Sequence, residues 1–231
     1  MFKTTGCTVL CTLLCLVLSV SEASAQTLNV RQLAGGLIQV EAESGMNFLI
    51  RPTASTRVPA ELSTILTGAL GDDFAPDAWT WSGEPAAVAG DSSQPVSAGV
   101  LLIESVLIGE KRAGIQIQAK GLKVLVASLD LLSDQGYIST RQNEQIHLLV
   151  LTVGDAKKLD TARTNLWISG IEVQQIALNS TSQLSVATME KFYNSLKRQR
   201  TLPTAVLPMI QVPNKRFKFG DRQVVLLKQL N

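Results

Sequence analysis

The chain has 231 residues, of which 45% are hydrophobic and 17% charged, and its formal net charge is +2. That apolar content is ample for a folded core and excludes a globally disordered chain. So small a charge gives no general argument for nucleic acid or an anionic membrane surface, and no nucleic-acid partner is expected.

Residues 1–25 read as a cleavable secretory leader. Lys3 supplies a positive start, Val9 to Val20 form a largely apolar run without charge, and Ala23-Ser24-Ala25 is a small-x-small cleavage site. The run is shorter than the roughly 20 apolar residues a spanning helix needs. The ending favours a bacterial Sec-type leader, so the expected location is the periplasm, with association to the outer membrane left open. Cys7, Cys11 and Cys15 all lie inside the leader. The mature chain is therefore expected to form no disulfide and to hold no thiolate metal site or cysteine nucleophile. Cys11 and Cys15 follow leucines and Cys7 has no apolar run ahead of it, which disfavours lipidation. No other stretch is long enough to span a membrane.

Roughly 206 residues remain, enough for one large domain or two small ones. Composition divides them into an N-terminal α/β module (26–82), a linker or long loop rich in Ser, Gly, Ala and Pro (83–99), and a C-terminal β-rich domain (100–231). In the first, Gly36 to Glu43 alternates as a strand does, and Asn47 to Arg51 is a second strand stopped by Pro52. A helix over Leu28 to Glu43 competes with this reading, and Gly35-Gly36 argues against it. Glu61 to Leu70 could form a short helix with Leu62, Ile65, Leu66 and Ala69 on one face.

In the C-terminal part, Val100 to Ile108 is an apolar run and Ile115 to Lys120 alternates cleanly as a half-buried strand. Leu122, Leu125, Val126, Leu129 and Leu132 fall at helical spacing, so the clearest amphipathic helix is expected over Leu122 to Leu132, stopped near Gly136. Gln145 to Val153 reads as a buried strand, and Asp155 to Arg163 as a loop or short helix. Leu166 to Ser169 and Glu172 to Leu178 are strands, and Asn179-Ser180-Thr181 is turn chemistry. Ser185 to Arg200 could be helical. Leu202 to Pro213, with three prolines, suits an edge or irregular strand. Phe217 to Phe219 and Gln223 to Leu227 read as a closing hairpin. The expected fold class is α+β and β-rich, built of small mixed or sandwich-like modules with one clear amphipathic helix.

Catalytic chemistry has little support in these residues. The single histidine, His147, lies mid-strand without a motif around it. One histidine and no mature cysteine exclude the common zinc sites. Asp72, Asp73 and Asp77 cluster around Phe74 and Pro76, and turn chemistry accounts for them. No phosphate-binding glycine motif is present, and no cofactor is expected. Lys197-Arg198-Arg200 and Lys215-Arg216-Lys218 are basic clusters. The second interleaves with Phe217 and Phe219, which suits a strand with aromatics inward and cations outward, or a protein contact. Trp79, Trp81 and Trp167 read as core or interface anchors.

Three stretches resemble modules of two known kinds. Gln32 to Val58 (QLAGGLIQVEAESGMNFLIRPTASTRV) resembles the N-terminal periplasmic modules of secretins, and Ala162 to Gly170 (ARTNLWISG) is similar to a phrase of the repeated secretin modules. Leu166 to Leu227 resembles the end of the TraK family of conjugative type IV secretion, although Ser185 to Arg200 looks more helical than such a module should. These likenesses imply a periplasmic structural subunit of an envelope-spanning secretion or conjugation apparatus, with no active site. Its partners would be other envelope proteins, including an outer-membrane complex or further copies of itself, contacted through Lys215, Arg216, Phe217, Lys218 and Phe219. The alternatives are a soluble exported ligand-binding protein and an enzyme that uses carboxylates alone, such as a glycoside hydrolase with Asp72, Asp73 and Asp77.

Overall fold

A computed structural model describes residues 27–53, 55–62, 65–71, 79–80, 95–132, 145–153, 171–180, 194, 202–212 and 223–227. Among the described residues fourteen strands make two mixed sheets. In the first, β1 (Leu28–Gln32), β2 (Ile38–Ala42), β3 (Asn47–Arg51), β4 (Leu66–Ala69) and β5 (Trp79–Thr80) lie side by side. β13 (Ile210–Val212), from near the other end of the chain, pairs antiparallel with β1. In the second, β6 (Val96–Ala98), β7 (Leu101–Ile108), β8 (Lys111–Ala119) and β9 (Leu122–Ser128) run as an antiparallel meander. β10 (Gln145–Val153), β11 (Glu172–Ser180), β14 (Gln223–Leu227) and β12 (Leu202–Leu207) then continue from β9 as a parallel set.

The core lies between the sheets. Leu28, Val30, Ile38, Val40, Phe48 and Ile50 from the first sheet pack with Ile103, Ile115, Ile117, Val124, Val126, Leu148 and Val150 from the second. Alternation puts the next residues of β9 and β10 on the opposite face. There Leu125, Ala127, Leu149, Leu151 and Val153 form a second buried cluster with Val173 and Leu178. Strands buried on both faces read as continuous apolar runs, as parallel strands do. Each fully buried Val, Leu or Ile contributes about 1.5–3 kcal/mol, so the two-faced strands carry much of the stability.

This corrects the expected fold class. The architecture is a large two-sheet β structure, not small modules organised around an amphipathic helix. The helix expected over Leu122 to Leu132 is mostly β9, and only Leu129–Leu132 forms one helical turn, α1. In LKVLVAS nearly every residue is apolar, so a 3.6-residue spacing is met by default. Lys120 and Gly121 both have positive φ (42° and 87°), which makes a two-residue hairpin turn that commits Leu122 to a strand antiparallel to β8. The helix expected over Glu61 to Leu70 is a 3-10 turn (Ala60–Leu62) followed by β4, where Leu66 and Ala69 are buried beside β3.

β2, β3, β8, β10 and β11 stand where strands were expected, and β12 and β13 are edge strands as the prolines imply. Leu28 to Glu43 is a hairpin, not a helix, with its turn at Gly35-Gly36. The closing hairpin is also corrected. Both edges of β14 are taken by parallel neighbours, β11 and β12, which leaves no place for an antiparallel arm. Residues 1–25, Gly136, the stretch Asp155 to Gly170, Ser185 to Arg200 apart from Asn194, and Phe217 to Phe219 lie outside the described residues. Among the described residues no helix is long and apolar enough to cross a membrane.

Candidate functional site

Parallel strands bring their carboxyl ends to one edge of a sheet, and open α/β sheets bind ligands there. Here the register aligns three polar residues along that edge. Thr152 of β10 stands opposite Ser128 of β9 and Asn179 of β11. All three are on the face that meets the first sheet, continuing the rows that hold Val126, Val150 and Ala177. They are buried, at 8%, 2% and 0% exposure for Ser128, Thr152 and Asn179. The Thr152 hydroxyl donates to the Ala127 carbonyl at 3.2 Å. Asn179 Nδ2 donates to the Gly36 carbonyl at 2.9 Å, across to the first sheet, where Gly36 sits in the β1–β2 turn at φ 78°. Among the described residues Asn179 Oδ1 accepts no hydrogen bond.

A buried cation stands at the same edge. The β7–β8 register shifts at Val106/Leu107, so that Val106 faces Gly114 while Leu107 faces Arg112, and Ala113 is the extra residue of a bulge. The bulge resets the alternation and turns Arg112 inward, where it is 1% exposed. Its Nε donates to Ser105 Oγ at 2.9 Å and its guanidinium to the Ala69 carbonyl at 3.1 Å. The Gly71 N–H donates to the Arg112 carbonyl at 2.9 Å, which fastens the end of β4 beside the site. Asp130 follows Ser128 at the start of α1. Asp72 and Asp73, which follow Gly71 in sequence, and Asp155, two residues after β10, lie outside the described residues.

His147 is elsewhere. It lies five residues before Thr152, about 16 Å along β10. Its Nδ1 accepts the Lys123 backbone N–H at 3.2 Å, and burial, with Lys123 adding to it, holds its pKa below the ordinary 6.5. Asp77 and the two basic clusters lie outside the described residues, as do Lys215, Arg216, Phe217, Lys218 and Phe219, Trp81 and Trp167. Trp79 is in β5. None of Ser128, Thr152, Asn179 and Arg112 was marked by a sequence motif. A signal was present: three apolar runs each end in a small polar residue, VLVAS, LLVLT and QIALN. Asn179 and Ser180 belong to β11 instead of forming the expected turn.

No protein-family model matches the chain, and no curated protein matches it in sequence. Solved structures do match. A candidate Zn-dependent hydrolase of the metallo-β-lactamase superfamily from Thermotoga maritima aligns with a TM-score of 0.53 at 12% identity, covering 88% of this chain and 100% of that one. The metallo-β-lactamase fold protein YhfI from Bacillus subtilis aligns with a TM-score of 0.51 at 12% identity, covering 87% and 96%. The chain therefore has a fold of the metallo-β-lactamase type. That finding overturns the expectation of a secretion or conjugation scaffold without an active site, which rested on likeness to secretin and TraK modules. The structures that share this fold are described as hydrolases or metallo-β-lactamase fold proteins.

The zinc named for the first neighbour can be tested against the donors at hand. Among the described residues no three His, Cys, Asp or Glu side chains cluster to hold a metal. The one imidazole of the chain is committed mid-strand, and the three cysteines stand in the first fifteen residues. Catalytic zinc takes three protein ligands in which His nitrogen or Cys sulfur predominates. The donor set at this edge does not fit it.

Proposed function

We propose that this protein is a hydrolase built on the metallo-β-lactamase architecture, with its working site at the edge where β9, β10 and β11 end. The observation that carries the reading is the register-aligned row Ser128–Thr152–Asn179 at the carboxyl ends of parallel strands, in a fold shared with a protein described as a Zn-dependent hydrolase. Ser128, the least buried of the row, would orient a polar substrate, with Thr152 and Asn179 held behind it by their bonds to Ala127 and Gly36. Activation of water falls to a carboxylate, since the edge holds no imidazole. Asp130 is the candidate within the described residues, and Asp155 follows β10 in sequence. The leader read in residues 1–25 supports action outside the cytoplasm.

The test is a hydrolysis screen of the purified chain against chromogenic carboxylic esters, phosphodiesters and β-lactams, followed by Asp130→Asn and Asp155→Asn. Turnover of one class, reduced about 10²-fold or more by one of these variants at unchanged melting temperature, is the expected result. Absence of turnover with every class would refute the reading.

A further inference from the structure

We infer that this edge holds no zinc and is closed instead by side-chain hydrogen bonds, from Asn179 to Gly36 and from Arg112 to Ser105 and Ala69, so that both folding and hydrolysis are independent of zinc. The catalytic half of this inference rests on the hydrolase reading above, whereas the folding half stands without it.

The argument starts from the donors. Zinc sites in proteins are built mainly from imidazole nitrogen and thiolate sulfur, with a carboxylate joining them in some, and oxygen-only sets suit Mg, Ca or Mn. The carboxyl ends of β9, β10 and β11 present a hydroxyl, a hydroxyl and an amide at the positions that close the sandwich. None of these is a zinc donor of the usual kind. His147 cannot be recruited, because about 16 Å of strand separates it from Thr152 and its Nδ1 already accepts the Lys123 N–H. Recruiting it would require β10 to slip by five residues. That slip would break its parallel register with β9 and β11 and turn its buried faces over.

The second half of the argument concerns what joins the sheets at this edge. Where a metal centre holds loops together, metal binding and folding are coupled, and chelation unfolds or loosens the chain. Here a direct hydrogen bond spans the sheets from Asn179 to Gly36, two residues 143 apart in sequence and both buried. Arg112 adds its own ties from β8 to Ser105 and to the end of β4. The edge is thus assembled from side chains that need no ion.

The experiment expresses the full 231-residue chain, recovers the protein after export, and dialyses it against zinc-free buffer. Metal content is then read by mass spectrometry, melting temperature with and without EDTA and with added zinc chloride, and hydrolysis under the same three conditions. The expected result is zinc well below stoichiometry, roughly a tenth per chain or less, and a melting temperature that neither EDTA nor zinc moves by more than about 1 °C. Any turnover is retained in EDTA, or is restored by Mg or Mn as well as by zinc. Zinc at one or two per chain after dialysis, with a melting temperature that drops by several degrees in EDTA, overturns the inference. Turnover that EDTA abolishes and zinc alone restores overturns it too. A folded, zinc-free chain without any turnover upholds the folding half and sinks the hydrolase reading, so the two failures are told apart.

Discussion

Replacing Asn179 by Asp separates the hydrogen-bonded clasp from mere packing. The two side chains are nearly the same shape, so no cavity forms. The amide that donates to the Gly36 carbonyl at 2.9 Å becomes a carboxylate oxygen facing another acceptor. Losing the donor leaves a buried carbonyl unsatisfied, at about 1–3 kcal/mol. At neutral pH the new group is also a buried charge at a position with 0% exposure, and an uncompensated buried charge costs about 3–5 kcal/mol. The two do not add fully, because the group escapes part of the cost by staying protonated, so a loss of at least about 3 kcal/mol is expected. In a chain of this length each kcal/mol corresponds to about 2–4 °C, so the melting temperature should fall by roughly 6 °C or more. Asn179→Leu should cost much less. It also loses the Gly36 bond, but it removes Oδ1, which the native fold buries without a partner among the described residues. Urea denaturation of both variants near pH 7.5 and near pH 5 reads the difference. The Asp variant should recover part of its loss at the lower pH, where the buried carboxyl is neutral. If it were as stable as the wild type near pH 7.5, Asn179 would not be enclosed against the Gly36 carbonyl, and the clasp would be wrong.

His147 binds its proton less tightly in the folded chain than in the unfolded one. The wild type should therefore hold its full stability above the ordinary value of 6.5 and lose some of it as pH falls through 6.5, levelling off below the lowered folded value. His147→Gln, which can still accept the Lys123 N–H, should flatten that slope in urea midpoints compared at about pH 7.5 and 5.5; parallel slopes would refute it. Gly114→Ala should destabilise, because a Cβ there would meet the Val126 carbonyl oxygen at 3.1 Å, Leu125 Cδ1 at 3.3 Å and Val106 Cβ at 3.4 Å. Overpacking costs about 1–3 kcal/mol, against roughly 0.4–1 kcal/mol gained from a stiffer unfolded chain. A melting temperature equal to or above the wild type would show that the bulge can relax to admit a methyl group.

Much of the strand content could be read from the sequence, because alternation is a local signal. Gln145 to Val153 and Ile115 to Lys120 announce themselves by composition and spacing. Leu122 to Ser128 does not. A strand buried on both faces loses its alternation, and an unbroken apolar run satisfies helical and strand periods alike. The deciding signal was the Lys120-Gly121 turn, whose positive φ values are visible only once the chain is folded. The topology was beyond reach for a different reason. Pairing β13 with β1, and β14 between β11 and β12, joins segments far apart in sequence, and no local pattern encodes such a choice. The candidate site was hidden by the same distance. Ser128, Thr152 and Asn179 look like unrelated strand ends until parallel register aligns them.

The polar row itself argues for function over architecture. A sandwich that needed only stability would close this edge with apolar residues, as the rows beneath do with Val126, Val150 and Ala177. Each buried hydroxyl or amide costs free energy unless its hydrogen bonds are satisfied, and Asn179 Oδ1 accepts none among the described residues. Placing three such groups side by side, next to a buried guanidinium whose orientation requires a bulge, departs from the consistency of the rest of the core. Such departures collect where a protein gives up stability for a task. Gln32, Thr67 and Gln116 are buried polar residues too, but Ser128, Thr152 and Asn179 are the three that share one register row, at the carboxyl ends of β9, β10 and β11. If the edge binds a ligand, the groups it offers there are the hydroxyls of Ser128 and Thr152, the Asn179 amide and the Arg112 guanidinium, none of them an imidazole.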